Sequence, residues 1–494
     1  MRLSLALHAW WTTLATAIAF CTAAQAQAWE KHAGRQDRTD AFRGVAEVRY
    51  CPGGGAIAAG TALPNTSPAN QNPNRNLILE RSDALGNTLW RHEYDNGAPE
   101  QGAAVVELSD GSGFATVGSI DAVSNASPVS RFVITRFDCD GAVLWQRAYG
   151  RAIDQNTGFD LIEARTGDPA AGTSPGDLIA LGHYLGEDGE AIRIVRTDTA
   201  GNVVWMNEYW PTASSTARFR ALAELPALNA LQAGELVAVG RVGQRAAVME
   251  IDGATGALLC ARMLPGLGSS EFHDVATFGG TQGGGEIHYV AVGETATNPL
   301  AAADIFLARI YAGLACTPQR QAQWGQPGRR EAAYAATPTL GPTAVGVPAG
   351  KLLLAGEIQA PWPFWSATIG RDAVVHVADP VSLMPLAGFT GRRYGTQGDG
   401  AEAALAIAAG SSGAYLAGVT TTDWNADGDS QDALLARLAW SGLETRCSVA
   451  WTPPTATLSN DLPLAFYVVP LTWEETVVVP SPLPVDEEGF CCKP

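Results

Sequence analysis

A short apolar run ending in glycine returns seven times along this chain, at Gly60, Gly118, Gly182, Gly240, Gly293, Gly356 and Gly418. Successive copies are separated by 58, 64, 58, 53, 63 and 62 residues. Periods of this size belong to propellers, solenoids or arrays, in which one supersecondary unit is copied and stacked. One architecture therefore accounts for nearly all of the 494 residues, where length alone would suggest two or three ordinary domains.

Each unit reads as three or four strands. In the second, Gly102-Ala-Ala-Val-Val-Glu-Leu108, Phe114-Ala-Thr-Val-Gly118, Arg131-Phe-Val-Ile-Thr-Arg-Phe137 and Ala142-Val-Leu-Trp-Gln-Arg-Ala-Tyr149 are separated by Asp-Gly, Ser-Gly and proline-rich stretches. Runs such as Leu236-Val-Ala-Val-Gly240 are apolar on both faces, which places them inside a stack of sheets. No helical periodicity of useful length follows the N-terminus. The last two strands carry the clearest signature: Asp83 to Gly86 to Trp90, Asp138 to Gly141 to Trp145, and Asp198 to Gly201 to Trp205. The aspartate caps its own turn, the glycine takes positive φ, and the tryptophan offers an apolar plate to the next sheet. Later copies decay. Asp252, Gly256 and Cys260 keep the turn and lose the tryptophan, as do Gly313 to Cys316 and Gly442 to Cys447. Unit six keeps an outline from Val374 to Tyr394.

This Asp-x-x-Gly-x-x-x-Trp pattern resembles that of bacterial extracytoplasmic β-propellers, and it is similar to the tryptophan-docking repeat of quinoprotein-type (PQQ-like) propellers. The resemblance spans residues 29–454. In the first three units the Asp-to-Gly spacing is one residue shorter than in the quinoprotein version, and only the fourth unit has the longer spacing. It implies an all-β fold, a seven-bladed β-propeller of four-stranded antiparallel blades, with an N-terminal signal peptide and a Pro-rich C-terminal tail outside it. The expected organisation is a signal peptide over 1–26, a propeller over 27–454, and an extended tail over 455–494. Blade boundaries fall near 39–94, 95–150, 151–210, 211–266, 267–326, 327–395 and 396–454. Two segments compete for the outer strand of the last blade: the stretch 28–34, which carries Trp29, and the stretch 443–451, which ends in Trp451. Such repeats define a fold and leave function open, because one propeller hosts enzymes, assembly factors and adhesins alike.

The leader has Arg2 as its single basic residue, an apolar stretch to Phe20, and small residues at Ala24-Gln-Ala26. It reads as a cleaved export signal, with an uncleaved anchor as the alternative. The expected location is secreted or periplasmic, and no later segment is suited to spanning a membrane. Without the leader, 31 basic residues face 50 acidic ones, a net charge of −19. Such a surface repels phosphate backbones and argues against a nucleic-acid partner.

Seven cysteines then remain, an odd number that cannot pair completely within one chain. Cys260, Cys316 and Cys447 sit in or near the tryptophan slot and read as buried thiols acting as small hydrophobes. The terminal pair Cys491-Cys492 is a candidate for a disulfide-linked oligomer.

The best candidate for ligand chemistry is a loop in unit seven. Asp423, Asn425, Asp427, Asp429 and Asp432 alternate oxygen side chains around Gly428, as one structural Ca2+ ion requires. Position twelve of that pattern is Leu434 rather than an acid, so Asp432 substitutes from position ten; the competing reading is a solvated acidic hairpin tip. Glu271-Phe-His273-Asp274 reads as the polar start of an inner strand. No nucleophile elbow, phosphate-binding loop or zincin helix is present, and no residue can be assigned a catalytic role. The favoured expectation is an exported, non-enzymatic propeller that binds a protein, a glycan or a cell-envelope component through loops such as 61–76 and 359–372, the second with the aromatics of Pro361-Trp-Pro-Phe-Trp365. The alternative is a propeller enzyme, a quinoprotein-like oxidoreductase, hydrolase or lyase, working in the central channel.

Overall fold

The computed structural model describes residues 29–33, 38–64, 75–95, 99–122, 129–150, 155–186, 189–212, 216–226, 234–264, 268–280, 285–296, 303–325, 330–340, 348–359, 371–386, 392–394, 402–411, 413–420 and 432–439, with the short tail segments 462–463, 466–470, 476–477 and 481–483. Seven antiparallel sheets follow one another along the chain. Their first strands are Arg38–Glu47, Glu100–Glu107, Gln155–Glu163, Ala217–Glu224, Ser269–Gly280, Glu331–Pro338 and Glu402–Ala409. Each packs against the first strand of the next sheet, and the last packs against the first. The sheets therefore close into a seven-bladed β-propeller around a central channel, with these strands innermost.

The ring is closed by the N-terminus. The strand Trp29–Ala33 pairs antiparallel with Asp432–Ala439 and forms the outer strand of the seventh sheet; the stretch 443–451 lies outside the described residues. Lys31 locks this strand to the first sheet, donating to Glu80 Oε1 (3.2 Å), Ser82 Oγ (2.8 Å) and Thr88 Oγ1 (3.0 Å) in a buried cluster. Arg91 contacts the second oxygen of Glu80 at 2.7 Å. Burial alone would raise the Glu80 carboxyl, but Arg91 and Lys31 outweigh it and hold the group below the ordinary carboxylate range.

The hydrophobic core is divided. Seven clusters of buried side chains lie one between each pair of adjacent sheets, for example Ile192, Ile194 and Tyr209 against Phe219, Leu236 and Met249. This is why the second and third strands are apolar on both faces: each sheet is sandwiched between two others.

The Asp–Gly–Trp signature performs as its chemistry suggests. Asp83 Oδ1 accepts from the N–H groups of Leu85 and Asn87, both at 2.8 Å, and Gly86 has φ 91°. The tryptophans cross to the neighbouring sheet. Trp29, Trp90, Trp145 and Trp205 donate Nε1–H to the carbonyls of Ala84, Cys139, Thr199 and Gly253, each in the hairpin turn of the next blade, at 3.0–3.3 Å. In three of these blades the cross-strand partner of the tryptophan is an arginine that reaches the same carbonyl: Arg437 to Ala84, Arg136 to Thr199, and Arg196 to Gly253.

Among the described residues two disulfides join neighbouring sheets, Cys51–Cys139 between the first and second and Cys260–Cys316 between the fourth and fifth. The expectation of buried free thiols at Cys260 and Cys316 is thereby corrected. Cys260 stands opposite Glu250 in the register that pairs Arg196 with Trp205, so it occupies the tryptophan position. That position faces the next sheet's turn, where Cys316 lies. Cys447, Cys491 and Cys492 lie outside the described residues. The tail adds short fifth strands to four blades in reverse order: Leu462–Pro463 to the fourth, Phe466–Pro470 to the third, Thr476–Val477 to the second, and Ser481–Leu483 to the first.

Candidate functional site: the central channel

The repeated glycine explains how the channel is built. In every blade the innermost strand carries a β-bulge, and the residue just before it pairs with that glycine: Phe42 with Gly60, Gly102 with Gly118, Gly158 with Gly182, Phe219 with Gly240, Phe272 with Gly293, Ala333 with Gly356, and Ala404 with Gly418. A Cβ at Gly118 would meet Gln101 O at 1.7 Å and one at Gly356 would meet Ala332 O at 1.8 Å. The bulge thus pushes a carbonyl into space that only glycine leaves empty. It also re-aims one extra side chain away from the sheet. These seven residues, Arg43, Ala103, Phe159, Arg220, His273, Tyr334 and Leu405, line a cavity of about 400 Å³ on the axis.

The residue after each bulge residue is small in five blades and aspartate in two. Asp160 accepts from its neighbour Leu161 N (2.8 Å) and from Leu222 N of the next blade (2.7 Å). Asp274 does the same with Val275 N (2.7 Å) and Ala336 N (2.6 Å). Burial in the channel wall pushes Asp160 up to about 7 and Asp274 up to about 8, the latter helped by Asp160. Both oxygens of each carboxyl are spent on backbone, so these groups staple one blade to the next.

Around the channel runs an arc of alternating charge across blades three to six. Glu271 accepts from Arg220 Nε (2.8 Å) and pairs with Arg241 Nε (3.0 Å). Glu294 accepts from Arg330 (2.9 Å) and faces His273 Nε2 at 3.9 Å. Burial raises Glu294, but His273 and Arg330 prevail and leave it below the usual range. His183 is pushed down to about 4 by burial and by Arg218, Arg220 and Arg241, so it is neutral at physiological pH. Aromatic faces complete the arc: Arg220 lies 4.9 Å over the ring of Phe159, and His273 meets Tyr334 edge-on at 5.2 Å.

Glu271, His273 and Asp274, read from sequence as the polar start of an inner strand, lie on the fifth blade's inner strand and face three different tasks. The channel ring as a whole was not legible, because the bulge residue has no fixed distance to its glycine: 13 positions from Leu405 to Gly418, and 23 from Phe159 to Gly182. Of the five calcium-loop residues, Asp423, Asn425, Asp427 and Asp429 lie outside the described residues. Asp432 opens the strand Asp432–Ala439 and is buried. The loop aromatics Trp362, Phe364 and Trp365 also lie outside the described residues.

No family model matches the chain, and no curated protein matches it. Among solved structures it is similar to the Dos1 propeller, with 11% identity and a TM-score of 0.40, over 83% of this chain and 95% of that one. The architecture stated above rests on this chain's own strand pairing. No helix among the described residues is long and apolar enough to cross a membrane.

Proposed function

We propose that this chain is an exported propeller that acts by binding, as a recognition or scaffold module for a protein, a glycan or a component of the cell envelope, with the channel and its charged rim as the contact surface. One observation carries this reading. Seven positions equivalent in backbone hold Arg43, Ala103, Phe159, Arg220, His273, Tyr334 and Leu405, while the glycine opposite each bulge is the same in all seven. The frame is uniform; the side chains offered to a ligand are not, and they are rich in the arginine and aromatic types that dominate contact energies. The two disulfides support an oxidising, extracytoplasmic location. Kinship with the PQQ-like repeat is supported by the docked tryptophans and concerns fold alone.

A structural calcium ion in the loop of Asp423, Asn425, Asp427, Asp429 and Asp432 belongs to the same proposal. In its favour, Asp432 pairs with Thr420, whose hydroxyl donates to Glu402 Oε1 (3.3 Å), so a second carboxylate stands at the foot of the loop. The channel-enzyme alternative would draw on Asp160, Asp274 and His273, of which the carboxyls are already committed to backbone.

The test compares retention of envelope-extract components on immobilised wild type and on Arg220→Ala and Tyr334→Ala. The reading expects specific components lost from both variants with unchanged melting; retention indifferent to both contradicts it. An absorbance spectrum showing a quinone chromophore would favour the enzyme, and calcium near one equivalent would support the loop assignment.

A further inference from the structure

Arg43 is exposed in the channel, and no carboxylate among the described residues pairs with it. Its side chain is open to solvent along the channel yet crowded by the channel wall, and that crowding, followed by the charges of Arg220 and Arg75, depresses its guanidinium below the ordinary arginine range. Like charges facing one another are costly when one of them has no counter-ion, and this occurs in a protein whose formal net charge is −18. Acidic side chains are plentiful, yet none among the described residues is set against Arg43. Its partner across the channel, Arg220, spends Nε on Glu271 and lies flat on Phe159, and its side chain is 32% exposed. In the ring of seven blades Arg43 belongs to the first and Arg220 to the fourth, as far apart as the ring allows, and Ala103 between them leaves the space open.

Resting on the binding reading above, we propose that the central channel binds a small organic carboxylate, with the carboxylate held between Arg43 and Arg220 and the body of the molecule laid against Phe159. Guanidinium groups present paired N–H donors that match a carboxylate, and their interaction strengthens where the walls exclude water. The cavity, about 400 Å³, lies in the range of small-molecule sites. It is too small for a folded partner. Tyr334 supplies a second aromatic wall beside His273.

The experiment is calorimetric titration of the full mature chain with benzoate against benzamide and with glucuronate against glucose, plus inorganic phosphate as a bodiless anion. At least one carboxylate binds while its neutral counterpart does not, and binding weakens as salt rises. Arg43→Ala lowers the affinity at least tenfold and Arg43→Lys restores part of it, with melting temperatures unchanged because the Arg43 side chain makes no ion pair among the described residues. Three results overturn the proposal: no binding of either carboxylate at millimolar concentration, binding of phosphate alone, or equal affinity in Arg43→Ala. Failure here with retention of envelope components still sensitive to Arg220→Ala would leave the binding reading standing and remove the carboxylate.

Discussion

The interface between the third and fourth blades and the interface between the fourth and fifth solve one problem with opposite chemistry. At the first, Trp205 and Arg196 both donate to Gly253 O, at 3.0 and 2.8 Å. At the second, Cys260 takes the tryptophan position and bonds covalently to Cys316 in the next turn, and Glu250 takes the arginine position. The polarity reverses with it: Glu250 accepts, from Gly313 N (3.1 Å) and Tyr289 OH (3.0 Å). Glu250, Cys260 and Cys316 lie close enough to suggest a metal cluster, but both sulfurs are engaged in the disulfide. The lesson is that the docking position, not the tryptophan, is what the repeat preserves. When the indole is lost its partner changes too, and the blade contact is kept by a bond rather than by packing.

The largest loss of stability is expected at the first interface. Arg196 is 1% exposed and uses its donors on Asp177, Gly253, Thr166 and Ser174. Arg196→Ala strands Asp177 in the interior, and a loss of about 3–5 kcal/mol is expected in urea unfolding. At the second interface, Cys260→Ser with Cys316→Ser costs about 2–4 kcal/mol by the same assay. Reducing agent added to that double variant then acts only through the remaining cysteines. A drop in stability no larger than that of an exposed substitution at either site would end the claim that the two are equivalent docking points.

Two buried glutamates differ in whether a cation neutralises them. Glu80, paired with Lys31 and Arg91, has its pKa lowered. It stabilises the fold above its unfolded value of about 4.3, and that stability fades as pH falls through the folded value. Glu100 is 2% exposed, and burial, aided by Asp95, outweighs a hydrogen bond from Gln146 and pushes its carboxyl up to about 8. Folding therefore favours its protonated form, so stability declines as pH rises from the unfolded value towards about 8. Glu100→Gln removes that decline and raises stability at pH 8 by about 1–3 kcal/mol, the scale of desolvating a buried polar group that is incompletely compensated; an unchanged pH profile of the melting temperature contradicts the assignment. The smallest effect belongs to Trp205→Phe, which keeps an aromatic plate and loses the bond to Gly253 O. About 1 kcal/mol is expected.

Much of this fold was readable because its parts report locally. The recurring glycine and the Asp–Gly turn each impose a backbone constraint that shows in a few consecutive residues, and the alternation of apolar runs does the same for the strands. What could not be read depends on residues distant in sequence. The Cys51–Cys139 bridge spans 88 positions and joins two blades, and nothing beside either cysteine announces the other. The channel ring is hidden by loops of unequal length between Leu405 or Phe159 and the paired glycine. The tail's proline density points to an extended segment and says nothing of where it lies; Pro463, Pro470 and Pro482 sit in strands on the outer edges of sheets, the setting where a missing N–H is tolerated.

The strand Trp29–Ala33 has a temporal consequence. Its partner Arg437 lies 408 positions downstream of Trp29, so the earliest-made piece of the hoop waits for the latest. Until Asp432–Ala439 is available, six blades stand as an open horseshoe with an unfinished end, and contacts of such long range form slowly. Once the clasp snaps shut, a pull on the N-terminal end of the ring must first tear that five-residue seam, whereas a pull on the other end meets the tail strands before it.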